Sequence, residues 1–267
     1  MSLTRTRVEV LATSVGAARL ALLGGADRIE LCENDPQGGT TPSAGTIETV
    51  LALAAPSSIP VHVMIRPRGG GFVYDRDEQA AMRRDIATAV RLGAHGIVVG
   101  VLTAAGEVDR PLLDGLVELA EGRSVTFHRA VDVARQLELA VETAFDLGCD
   151  RVLTSGGAPT AAEGARMIAR LVRNVRPGKV VMAGGGITAG TVREIVSDTL
   201  VGEIHVAARG YRTTGASASP PGLTGVTAGP TEHWPVNGWP APDVEQLSMI
   251  REALVDVAPS GRFGDSD

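Results

Sequence analysis

The chain has 267 residues, 44% hydrophobic and 21% charged, a balance that can bury a sizeable core and excludes a disordered chain. A net charge of −6 supplies no basic field, so neither nucleic acid nor an anionic membrane is an expected partner. No unbroken run of ~18 apolar residues suggests a membrane span, and the first ten residues hold no signal-like apolar stretch, so the expected location is cytoplasmic. Two cysteines, Cys32 and Cys149, are too few for a disulfide framework and are expected as free thiols.

Along the chain, short β-branched runs alternate with helical patterns. Strands are expected at 8–11, 28–31, 61–65, 96–99, 124–127, 151–153, 179–182 and 203–205. The helices between them have readable starts: Thr41 with Pro42, Asp75 before Asp77 and Glu78, Thr160 with Glu163, and Asp243 with Gln246. Their apolar residues fall on one stripe, as in Met82, Ile86 and Ala89, or Leu112, Leu116 and Leu119, or Leu247, Ile250 and Leu254. Three similar joints, Gly-Gly-Ala-Asp (24–27), Leu-Gly-Ala-His (92–95) and Leu-Gly-Cys-Asp (147–150), link a helix end to a strand. An α/β fold of eight such units closes as a single-domain TIM (β/α)8 barrel over 1–267, or opens as a doubly wound sheet; the regular repeat without a long central crossover favours closure.

Residues 211–242, rich in Gly, Pro, Ser and Thr, interrupt this rhythm between strand 8 and helix 8. The segment reads either as a mobile insertion that proteases should nick first, or as a lid anchored by Trp234 and Trp239.

In a closed barrel the active site lies at the C-terminal ends of the strands, and alternation sorts the side chains by face. Glu30 and Cys32 share a face of strand 2; His62, Met64 and Arg66 share one of strand 3; Thr126 and His128 share one of strand 5. Glu9 and His205 sit among apolar neighbours on strands 1 and 8. An unpaired charge inside a parallel strand costs several kcal/mol, so Glu9, Glu30, His62, Arg66, His128 and His205 are expected to form one network. A polar plug that fixes barrel register and an active site for acid–base chemistry both fit any one position; six together favour a site. Gly184, Gly185, Gly186 and Thr188 lead straight into a helix after strand 7, where backbone N–H groups with Arg66 or Arg209 would hold an anion such as phosphate. Cys32, Met64 and His62 offer the soft donors that suit Cu(I), whereas Cys149, on the approach to strand 6, reads as core.

These residues lie in stretches that resemble the CutC copper-homeostasis family: 24–32 (GGADRIELC), 38–43 (GGTTPS), 61–70 (VHVMIRPRGG), 100–103 (GVLT), 125–130 (VTFHRA) and 151–156 (RVLTSG). The resemblance runs from about residue 8 to residue 209 and implies a cytoplasmic, self-associating TIM barrel that handles copper and binds Cu(I). It also implies cysteines near the ends of strands 1 and 2. Cys32 matches the second of these, while Leu11 stands at the first. Two functions follow as expectations: a copper-binding homeostasis protein using Cys32, or an enzyme acting on a small anionic or phosphorylated substrate through the His, Glu and Arg cluster.

Overall fold

A computed structural model of the chain describes residues 5–213, 238–255 and 257. Eight parallel strands close into a barrel in sequence order: β1 (Arg7–Ala12), β2 (Arg28–Leu31), β3 (Val61–Met64), β4 (Gly96–Val99), β5 (Ser124–Phe127), β6 (Arg151–Thr154), β7 (Val180–Gly184) and β8 (Glu203–Val206). β8 returns to β1 with Glu9 level with His205, so the open-sheet alternative is excluded. The helices are α1 (Val15–Leu23), α2 (Ala44–Ala54), α3 (Arg76–Leu92), α4 (Arg110–Leu119), α5 (Leu137–Asp146), α6 (Ala165–Asn174), α7 (Val192–Thr199) and α8 (Val244–Leu254). Outward strand residues such as Val10, Ile29, Val63, Ile97 and Phe127 are buried against helix stripes that include Met82, Ile86, Leu116 and Leu247.

The repeated joints have a physical role beyond their left-handed glycines Gly25, Gly93 and Gly148. The last residue of each accepts a backbone N–H from the start of the preceding strand: Asp27 from Val8, His95 from Val61 and Asp150 from Val125. Those amides lie at the sheet's lower rim, and the side chains satisfy them.

Several helix starts differ from expectation. Asp75 forms the expected capping box with Glu78. Helix α2, however, is capped by Ser43, because Thr41 Oγ1 is already engaged by the Arg66 N–H. Thr160 and Glu163 bond to each other one turn before α6, whose N-cap is Gly164. Asp243 caps α8 through the Glu245 N–H.

The segment 211–242 is not one irregular connection. Its ends lie in an antiparallel pair, β9 (Arg209–Thr213) with β10 (Gly238–Pro242). Proline masks strands in sequence, yet a two-stranded ribbon leaves half of each strand's backbone groups unpaired, where a missing N–H does little harm. Residues 214–237, with Trp234 and most of the expected insertion or lid, lie outside the described residues.

Candidate functional site at the barrel mouth

The mouth holds a cavity of about 610 Å³, lined by Glu30, Met64, Arg66, His128, His205, Arg209, Gly185, Gly186 and Thr188 among others. Glu9, Cys32, His62, Thr126 and Gly184 are not in its lining.

At the floor, His205 lies between two carboxylates. Its Nδ1 donates to Glu9 Oε1 at 2.7 Å, and its Nε2 stands 3.8 Å from Glu30 Oε2. Burial works to raise the Glu9 carboxyl, but Arg28 and His205 outweigh it and hold the group well below the usual range. Glu30 lacks such a partner: burial, against the pull of His205, pushes it up to about 7. Burial disfavours the charged imidazole of His205, yet Glu30 and Glu9 overcome this and raise its pKa.

Beneath the floor runs an ion network that sequence reasoning missed. Arg28 bonds Glu9 and, at 2.7 Å, Glu203; Arg151 bonds Glu203 at 2.6 Å and Thr126 at 3.5 Å. The signal was present, because Arg28 and Glu203 stand two residues before Glu30 and His205 and so share their inward faces. Thr126 therefore belongs to this lower layer.

The expected single network of six divides. Arg66 donates to the carbonyls of Gln37, Gly39 and Gly70 and lies over the Phe72 ring at 5.0 Å, so it fixes the loops after β2 and β3. His128 Nδ1 accepts the Ala130 N–H, which assigns the ring proton to Nε2. Burial, reinforced by Arg66, holds the His128 pKa down at about 3 and keeps the ring neutral. Gly100 makes room for that ring, since a Cβ there would come within 2.1 Å of it. His62, below the mouth, is likewise kept neutral by burial, at about 3, and Gly96 makes room for its ring. Six described buried side-chain atoms have no partner, and four of them belong to Glu30, His62, Arg66 and His128.

On the β6 and β7 side, Arg129 spans Asp132 and Ser155, each at 2.8 Å, and its Nη1 lies beside Gly185. Arg129 and Asp132 were not singled out in the sequence. Arg209 pairs with Asp35 at 2.7 Å across the mouth. The glycine run does not enter a helix directly: α7 begins at Val192, and the Thr188 N–H is taken by Thr191 Oγ1 at 3.0 Å. Gly184 serves packing, with Leu153 within 2.5 Å of where a Cβ would stand.

Cys32 is not on the open rim. It is fully buried with Met64, Val98 and Leu11, because the chain folds back through the Glu33–Thr40 bridge and lays Gly39 over the thiol. Burial, with Glu30 next, pushes that thiol far up. Cys149 is also buried, its thiol pushed up to about 12 by burial, as expected for core.

A family model described as the CutC family matches residues 6–210. The chain belongs to the CutC family. It is 44% identical over 201 residues to a CutC family protein of Bacteroides thetaiotaomicron, covering 75% of this chain and 80% of the relative. A CutC family protein of Xanthomonas campestris is also 44% identical, over 217 residues, covering 81% and 89%. Among solved structures, a CutC protein of Streptococcus agalactiae, assigned provisionally to copper homeostasis, superposes with a TM-score of 0.72 at 32% identity, covering 76% of this chain and 98% of that one. The match to the CutC model ends where the β9–β10 ribbon begins. No helix among the described residues is long and apolar enough to cross a membrane.

Proposed function

We propose that the mouth is the active site of an enzyme acting on a small anionic substrate. The observation that carries this reading is the cavity floor, where an imidazole fixed by Glu9 faces Glu30, whose second carboxylate oxygen is buried and unpartnered. Each unpartnered buried atom costs about 1–3 kcal/mol, and Glu30 places its own beside a fixed imidazole on the cavity wall, where a ligand can meet it. The floor supplies the reacting groups, the neutral N–H of His128 polarises a substrate oxygen, and Arg129, Arg209 and the Gly185–Ile187 backbone attract the anionic end. Self-association and a cytoplasmic location, which the family resemblance implies, complete the proposal.

The test incubates wild type and Glu30→Gln with an acidic small-molecule fraction of a cell extract and follows composition by mass spectrometry. Wild type should consume a species that the variant leaves intact; an unchanged extract defeats the reading. Titration with inorganic phosphate should move the amide resonances of Gly185–Thr188, and no response at millimolar concentration removes the phosphorylated class of substrate.

Cu(I) binding is a second reading with its own observation. A Cβ at Gly39 would lie 3.1 Å from Cys32 Sγ and 3.6 Å from the Met64 methyl, so the glycine leaves a small cradle between a thiol and a thioether. That pair fits a two-coordinate soft ion, with Leu11 where a second thiol would stand and His62 on the same strand as Met64 as a further donor. In an anaerobic chelator competition, Cys32→Ser should weaken Cu(I) binding at least about tenfold, equivalent to ~1.4 kcal/mol, while Cys149→Ser leaves it unchanged. Equal affinities for wild type and Cys32→Ser would remove this site.

A further inference from the structure

We propose that Glu30 and His205, with Glu9 holding the imidazole from behind, bind a divalent transition-metal ion at the cavity floor, a site that deepens the enzyme reading and rests on it. One ligand atom from each residue lies within 4.8 Å of the other two, and this is the one group of three His, Cys, Asp or Glu ligand atoms so placed among the described residues.

Charge balance inside the barrel leaves a place for a cation. Arg28 and Arg151 offset Glu9 and Glu203, to which they are bonded, and Glu30 remains without an arginine. It is 2% exposed, lines the cavity and has one oxygen without a partner. A lone carboxylate in such surroundings is stable only when a proton or a cation meets it.

The geometry favours an ion. Glu9 holds His205 through Nδ1, the carboxylate–histidine arrangement that orients imidazoles for metals and leaves Nε2 as the ligand atom. The 3.8 Å between Nε2 and Glu30 Oε2 is too long for a hydrogen bond. It matches two ligands spread across one ion at bond lengths of about 2.1 Å. Both Glu9 oxygens are engaged, Oε1 by the ring and Oε2 by Arg28, so Glu9 orients the imidazole from behind and stays off the ion. A carboxylate oxygen and an imidazole nitrogen suit Mn²⁺, Fe²⁺ or Zn²⁺ rather than Cu(I), which sets this site apart from the Cys32 and Met64 pair. The remaining coordination positions face the cavity, open to a substrate oxygen.

The test uses chelator-treated full-length protein and the metal alone. Mn²⁺ titration followed by electron paramagnetic resonance should show one ion per chain, with Zn²⁺ competing. Glu30→Gln should weaken binding at least tenfold, Glu30→Asp should restore part of it, and Cys32→Ser should leave it unchanged. Pulsed resonance on wild type should detect coupling to one imidazole nitrogen, a readout that needs no variant to fold. No bound ion, equal affinity in Glu30→Gln, loss in Cys32→Ser, or no nitrogen coupling would each overturn the metal site. Extract turnover by metal-free protein would overturn the metal site and spare the enzyme reading. A bound ion without any extract turnover would defeat the enzyme reading and leave the ion in place.

Discussion

Two layers of buried charge lie inside one barrel, and they are finished differently. In the lower layer, no buried side-chain atom of Glu9, Arg28, Arg151 or Glu203 lacks a partner. Above it, Glu30, Arg66 and His128, which line the cavity, each keep one buried atom unpaired. Both layers are buried and carry ionisable side chains, and β2 contributes to each, so composition does not separate them. Satisfaction does: a closed network holds the barrel's register, whereas an unsatisfied group is kept for something that arrives from outside.

The largest effect should come from breaking the lower layer. Arg28→Met keeps the length of the side chain but removes the cation shared by Glu9 and Glu203. It should cost about 3–5 kcal/mol in urea unfolding, because a buried ion pair that loses one member leaves an uncompensated charge. A loss below about 1 kcal/mol would show that the layer is not structural.

A smaller effect should appear with pH. His62 and His128 are held neutral, at about 3 against an ordinary 6.5, so the unfolded chain takes up protons before the folded one does. Their contribution to stability is present above pH 6.5 and is lost as pH falls toward 3. Glu30, raised to about 7, acts in the opposite sense as pH falls from 7 toward 4.5, so the net slope reflects two histidines against one carboxyl. Between pH 6.5 and 4.5 wild type should lose on the order of 2 kcal/mol. His128→Asn, which keeps an acceptor for the Ala130 N–H and cannot titrate, should flatten that slope. An unchanged slope would mean that His128 is not held neutral.

Much of this was legible in the sequence because period and position carry it. Each of the eight barrel strands appeared as a β-branched run, and alternation placed Glu30, His62, His128 and His205 on inward faces. Three things were not legible. Arg28, Arg151 and Glu203 lie at strand starts, at the end of the barrel away from the mouth, although the same alternation marks them. The division of Arg66 from Glu30 depends on the Gln37, Gly39 and Gly70 carbonyls, and loop geometry has no period to read. Cys32 looked accessible because strand position gives its height in the barrel and not the loop that returns over it.

The remaining test bears on the upper layer most directly. Glu30→Gln preserves shape and removes a charge that no arginine offsets. With its folded pKa raised to about 7, the Glu30 carboxyl contributes stability that is fully present below its ordinary 4.5 and is lost as pH rises through 7. Above pH 7 the folded protein carries a desolvated carboxylate, and glutamine relieves that penalty. The variant, measured with chelator present, should match wild type near pH 4.5 and exceed it by up to about 3 kcal/mol at pH 8, the advantage growing between the two. Arg28→Met and Glu30→Gln therefore have opposite signs at pH 8, although both remove one buried charge. Destabilisation by Glu30→Gln of more than about 1 kcal/mol at pH 8 would place Glu30 with the lower layer, as part of the scaffold. A stabilised variant that has also lost turnover would identify Glu30 as a group whose burial the fold tolerates for the sake of its chemistry.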